Sequence, residues 1–156
     1  MKKIIFLLVM VLLVYTNANA QLNVVAKTKG YITLATSDAN QKTLSLNQDS
    51  GTYYLIDTKP YNGYSGFSIY IPLGNTKESA LISLKELLSL MQNTNENIII
   101  KGYIAHKNFD KLIPIELTIT RGTILGQGYL DITHPYNESS YGWDKNDINK
   151  MIKALK

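Results

Sequence analysis

Gly51-Thr52-Tyr53-Tyr54-Leu55-Ile56-Asp57-Thr58-Lys59-Pro60-Tyr61-Asn62 reads like a draft of a later stretch, Gly126-Gln127-Gly128-Tyr129-Leu130-Asp131-Ile132-Thr133-His134-Pro135-Tyr136-Asn137. Seven of the twelve positions match: the leading Gly, one Tyr, the Leu, the Thr and the closing Pro-Tyr-Asn. The offset is 75 residues. A second, shorter pair precedes them, Lys29-Gly30-Tyr31-Ile32 and Lys101-Gly102-Tyr103-Ile104, at an offset of 72. A three-residue insertion reconciles the two offsets. Matching blocks in the same order are the signature of an internal repeat.

The segments around these blocks read as strands. Leu22 to Thr28 and Tyr31 to Thr36 are rich in β-formers. Thr43-Leu44-Ser45-Leu46-Asn47 alternates polar and apolar, the pattern of a half-buried strand. Thr52 to Thr58 and Phe67 to Ile71 follow, separated by a loop from Lys59 to Gly66. In the second half, Ile98-Ile99-Ile100 begins a strand, and Leu112 to Thr120 alternates well. Arg121-Gly122 is read as the turn into Thr123 to Thr133, and His134 to Gly142 as a loop.

Each half closes on a helix. Asn75 is the expected N-cap of the first, with Glu78 three residues on. Ala80, Leu81, Leu84, Leu87, Leu88 and Met91 recur at spacings of three and four and make one apolar face. Asp144 is the expected cap of the second helix, with Asp147 at its third position. Trp143 and Ile148 have the spacing of a hydrophobic staple.

The expected fold is therefore α+β: a largely antiparallel sheet with two helices on one face, built from two tandem β-β-β-α repeats, about 22–94 and 95–156. An apolar sheet face and an apolar helix stripe cannot be buried well in 60 to 70 residues, and two copies packed together solve this. Exported proteins with tandem sheet-plus-helix repeats, such as the β-lactamase inhibitor proteins, are similar in general plan. Their order of elements differs, their cysteines have no counterpart here, and no motif carries over.

Residues 1–20 have the plan of a cleavable export signal. Lys2 and Lys3 precede an apolar run from Ile4 to Val14, and Ala18-Asn19-Ala20 supplies the small residues of a cleavage site. The expected mature chain is a single domain of 136 residues, 21–156. It contains no Cys, so neither lipid anchoring through Cys nor disulfides are open to it. Its 14 basic and 12 acidic side chains leave a charge of +2, too small to imply a nucleic-acid partner. The expected location is periplasmic or extracellular, with no membrane span in the mature chain.

No catalytic motif is present. G-x-S-x-G, H-E-x-x-H, S-x-x-K and the P-loop pattern are all missing. His106 and His134 lack the neighbours of a metal cluster, so no metal and no cofactor are expected. Glu116 and Asp131 are the one carboxylate pair on adjacent strands, and alternation turns Glu116 away from the core.

The notable feature is aromatic: 11 tyrosines, several in two loops. Tyr61, Asn62 and Tyr64 in one, and Tyr136, Asn137, Tyr141 and Trp143 in the other, are the candidate binding residues. Tyr combines a large rigid face with a polar tip, which suits recognition of a protein or glycan. The expectation is a non-enzymatic binding module. An envelope-polymer hydrolase with a polar site hidden by sequence distance, or a small-molecule carrier with an apolar cavity, are the alternatives.

Overall fold

A computed structural model describes residues 26–28, 30–37, 41–59, 66–93, 97–106 and 111–156. Residues 1–20, read above as an export signal, and Tyr61, Asn62 and Tyr64 lie outside the described residues. Among the described residues, nine strands form one antiparallel sheet in strict sequence order. They are β1 (Ala26–Thr28), β2 (Tyr31–Ser37), β3 (Lys42–Asn47), β4 (Tyr53–Asp57), β5 (Phe67–Gly74), β6 (Ile98–His106), β7 (Ile113–Ile124), β8 (Gln127–His134) and β9 (Asn137–Asp144). Helix α1 (Lys77–Asn93) lies between β5 and β6, and α2 (Lys145–Ala154) follows β9. The α+β class holds.

Strand alternation sorts the sheet into two faces. On the core face sit Leu44, Leu55, Ile69, Ile71, Ile104, Leu117, Ile119, Leu130 and Ile132, all buried. Both helices pack on this side and against each other, α1 over β5, β7 and β8, α2 over β2, β3 and β9. One continuous apolar cluster joins them.

The sheet is strongly curved. In a flat sheet, strands four places apart would lie roughly 19 Å from each other. Yet the Tyr141 hydroxyl of β9 donates to the Phe67 carbonyl of β5 at 2.9 Å. Right-handed twist accumulated over nine strands lets the last strands fold back over the middle ones. The same curvature brings α2 to β2 and β3. There the buried Asp147 carboxylate accepts from Ser37 and, at 2.8 Å, from Lys42 Nζ. Asp144 caps this helix as expected, and Asp147 closes a capping box with it.

Four local expectations are corrected. The cap of α1 is Thr76, not Asn75: Thr76 and Ser79 exchange reciprocal backbone-to-hydroxyl bonds at 3.1 Å. Asn75 instead accepts from Thr52 Oγ1 at 2.8 Å. The β7–β8 turn is Leu125-Gly126, not Arg121-Gly122, because β7 runs on to Ile124. Both turn residues have positive φ, +50° and +77°, the conformation of a two-residue type I′ hairpin loop. The strand at Phe67 continues through Pro72 to Gly74. Lastly, the span read as a loop after His134 is only a two-residue turn, Pro135-Tyr136, followed by strand β9. The second half therefore has four strands before its helix, not three.

Candidate functional site

The face of the sheet left free of helices among the described residues, called the helix-free face below, carries the aromatic feature that the tertiary structure assembles. Tyr54 on β4 sits opposite Pro72, Ile56 opposite Tyr70, Tyr70 opposite Tyr103, and Tyr103 opposite Pro114. Tyr31 reaches the same cluster from β2. Ring centroids lie 6.0 Å apart for Tyr31–Tyr54 and Tyr31–Tyr70, 6.3 Å for Tyr54–Tyr70 and 6.2 Å for Tyr54–Tyr103. Three of the four contacts are edge to face, the arrangement favoured by the ring quadrupoles.

Tyr54 is the buried centre of this cluster, while Tyr31, Tyr70 and Tyr103 remain partly exposed around it. Burial, with Tyr103 and Tyr31 nearby, pushes the Tyr54 phenol above its usual pKa, so it stays neutral well past physiological pH. The rim combines apolar and charged groups. Ile99 and Pro114 are exposed on this face, and the exposed side chains of Lys101 and Glu116 face each other across β6 and β7.

Tyr129 occupies the same face farther along the sheet. Its ring lies over Gly122, where an added Cβ would stand 2.2 Å from the Tyr129 ring. A glycine in a strand is thus covered by the aromatic residue across from it.

The residues predicted as binding groups are distributed differently. Tyr136 stands at the tip of the β8–β9 turn and is 67 % exposed. Asn137 begins β9. Tyr141 and Trp143 are not loop residues: they point into the core from β9, with 0 % and 1 % of their surface exposed. Trp143 belongs to the same core cluster as Ile148, and Lys42 Nζ lies 5.7 Å from the centre of its ring. Neither side chain is offered to a partner.

A second polar region lies inside the same curved sheet. His134 at the end of β8 is buried, between Phe67 and Tyr141 with centroids 5.8 and 6.1 Å away. His106 also packs on Phe67, with ring centroids 5.4 Å apart. Desolvation lowers the His134 pKa below the usual imidazole value. Among the described residues, no group of three or more His, Asp or Glu could hold a metal ion. No helix among them is long and apolar enough to cross a membrane.

The carboxylate pair Glu116 and Asp131 is not brought together. Both lie on the helix-free face, but Asp131 is opposite Thr120, four residues along β7 from Glu116. Four strand residues span roughly 13 Å, more than a two-carboxylate glycosidase mechanism uses.

No family model matches the chain, and neither a curated protein nor a solved structure matches it.

Proposed function

We propose that the chain is an exported, non-enzymatic binding module that recognises a protein partner through the tyrosine face formed by Tyr31, Tyr54, Tyr70 and Tyr103. The observation that carries this reading is the cluster itself. Four rings from four strands gather on the side that neither described helix covers, with an exposed Ile and two Pro beside them. Tyr is enriched at the energetic centres of protein interfaces because it presents much rigid area at small entropic cost. A sugar stacks on an open ring face; edge-to-face packing sets ring edges against ring faces here, which suits a protein surface better.

The two halves of the sheet support the reading from a second direction. We infer that the chain is an internal duplication. Both halves run through four strands to a helix, β2 to α1 and β6 to α2. Equivalent positions carry equivalent duties. Gly51 and Gly126 both turn with positive φ, Leu55 and Leu130 both enter the core, and Tyr31 and Tyr103 both join the tyrosine cluster. The aromatic face would thus have been doubled along with the fold.

The test is a triple variant, Tyr31, Tyr70 and Tyr103 each to Ser, immobilised beside the wild-type protein and exposed to an envelope extract. Wild type should retain a partner that the variant releases, with both showing the same far-UV circular dichroism. Equal capture by both proteins removes the tyrosine face from the function.

A further inference from the structure

A buried imidazole with nothing to bond to is costly. An orphaned buried donor or acceptor costs about 1–3 kcal/mol, so its presence calls for an explanation. His134 is such a group. It is 4 % exposed, and among the described residues neither Nδ1 nor Nε2 has a hydrogen-bond partner. Its surroundings suit a neutral ring and not a cation. From β5 it meets Phe67, which offers only an aromatic ring. From β9 it meets Tyr141, whose hydroxyl donates to the Phe67 carbonyl and makes no hydrogen bond with the imidazole. Phe67 in turn packs against a second imidazole, His106.

Among the described residues, two carboxylates are buried, Asp57 and Asp147. Asp147 holds Ser37, Lys42 and its own helix start, and Asp57 accepts from the Lys59 amide at 3.0 Å.

The position of His134 in the sheet matters as much as its burial. β9 is the outermost strand, paired only with β8. The pairing of these two strands breaks register between Thr133 and His134, beside the turn. An irregular edge hairpin is among the least costly parts of a sheet to open. The hydroxyl of Tyr141 spans to β5 next to the imidazole and acts as its latch.

We propose that His134 is a proton-operated release for the β8–β9 edge: in mild acid the charged imidazole leaves its aromatic slot, and the Tyr141–Phe67 latch opens with it.

The sign follows from linkage. A His whose folded pKa lies below its unfolded value stabilises the fold fully above the unfolded value, about 6.5, and that contribution is lost as pH falls from there toward the folded value. At pH 5 the opening constant can rise by at most about thirtyfold, the ratio set by an open-state pKa near 6.5.

The experiment is amide hydrogen exchange at Tyr141 and Gly142 between pH 7.5 and 5.0, corrected for the intrinsic pH dependence of exchange, with His134 followed by its imidazole NMR signals. The opening constant in wild type should increase by tenfold or more toward pH 5, in step with the titration of His134. His134→Phe should abolish the increase and His106→Gln should keep it. If His134→Phe does not fold, His134→Gln takes its place, and the wild-type titration stands by itself. An imidazole titrating at or above pH 6.5, or an acid-induced opening that survives replacement of His134 or vanishes with His106, overturns the proposal.

Discussion

The two faces of one sheet put the same kind of residue to opposite uses. Tyr141 and Trp143 alternate inward along β9 and disappear into the core, while Tyr54, Tyr70 and Tyr103 alternate outward and pack on each other. On the inner face the aromatic rings are buried in the core cluster, and the Tyr141 hydroxyl ties β9 to β5. On the outer face the rings support one another and leave their margins to solvent. The difference teaches that an aromatic residue in this chain is structural or available according to strand parity, not according to how many tyrosines surround it in sequence.

The largest break in this comparison should come from Trp143→Ala. Removal of a fully buried Trp should cost about 3–5 kcal/mol, measured by urea denaturation. Next comes Gly102→Ala. Its Cβ would stand 2.3 Å from Leu117 Cδ1 and 3.0 Å from the Tyr70 carbonyl, between β5 and β7, where neither neighbour has room to move. Overpacking of that kind should cost about 1–3 kcal/mol, again read from the denaturation midpoint. The finest test applies one substitution to both faces. Tyr141→Phe removes the hydroxyl bonded to Phe67 and should cost about 1 kcal/mol. Tyr103→Phe removes a hydroxyl from the outer cluster and should stay within about 0.5 kcal/mol of wild type. Equal losses for the two Phe variants would erase the distinction between the faces.

Much of the architecture was legible residue by residue. The apolar stripe of α1 and the Asp144 cap of α2 are local patterns, and local hydrogen bonding and periodicity suffice to produce them. The misreadings have a common cause. Asn137-Glu138-Ser139-Ser140 is too polar to read as a strand, yet the chain pairs it with β8 because an edge strand needs only one neighbour. Thr76 displaced Asn75 as a cap because Ser79 could bond back to it and Thr52 claimed Asn75. Leu125-Gly126 took the β7–β8 turn because a register continuing through Gly122 lets Tyr129 cover that glycine.

The candidate site was less legible. Tyrosine abundance pointed to recognition, but proximity in sequence selected Tyr141 and Trp143, which β9 turns inward. Tyr31, Tyr54, Tyr70 and Tyr103 lie on four separate strands, and their convergence depends on register across β2 to β6. No window of sequence contains that information.

The sequence by itself determined which residues share a face, because side chains on a strand alternate with a period of two whatever the rest of the molecule does. It also determined the two helices and their apolar stripes. Only the tertiary structure decided which face the helices would cover, and so which aromatics became core and which were left outside. That choice was made by curvature: once the sheet coils enough for Tyr141 to reach Phe67 and Asp147 to reach Lys42, one face has an interior to fill and the other has none.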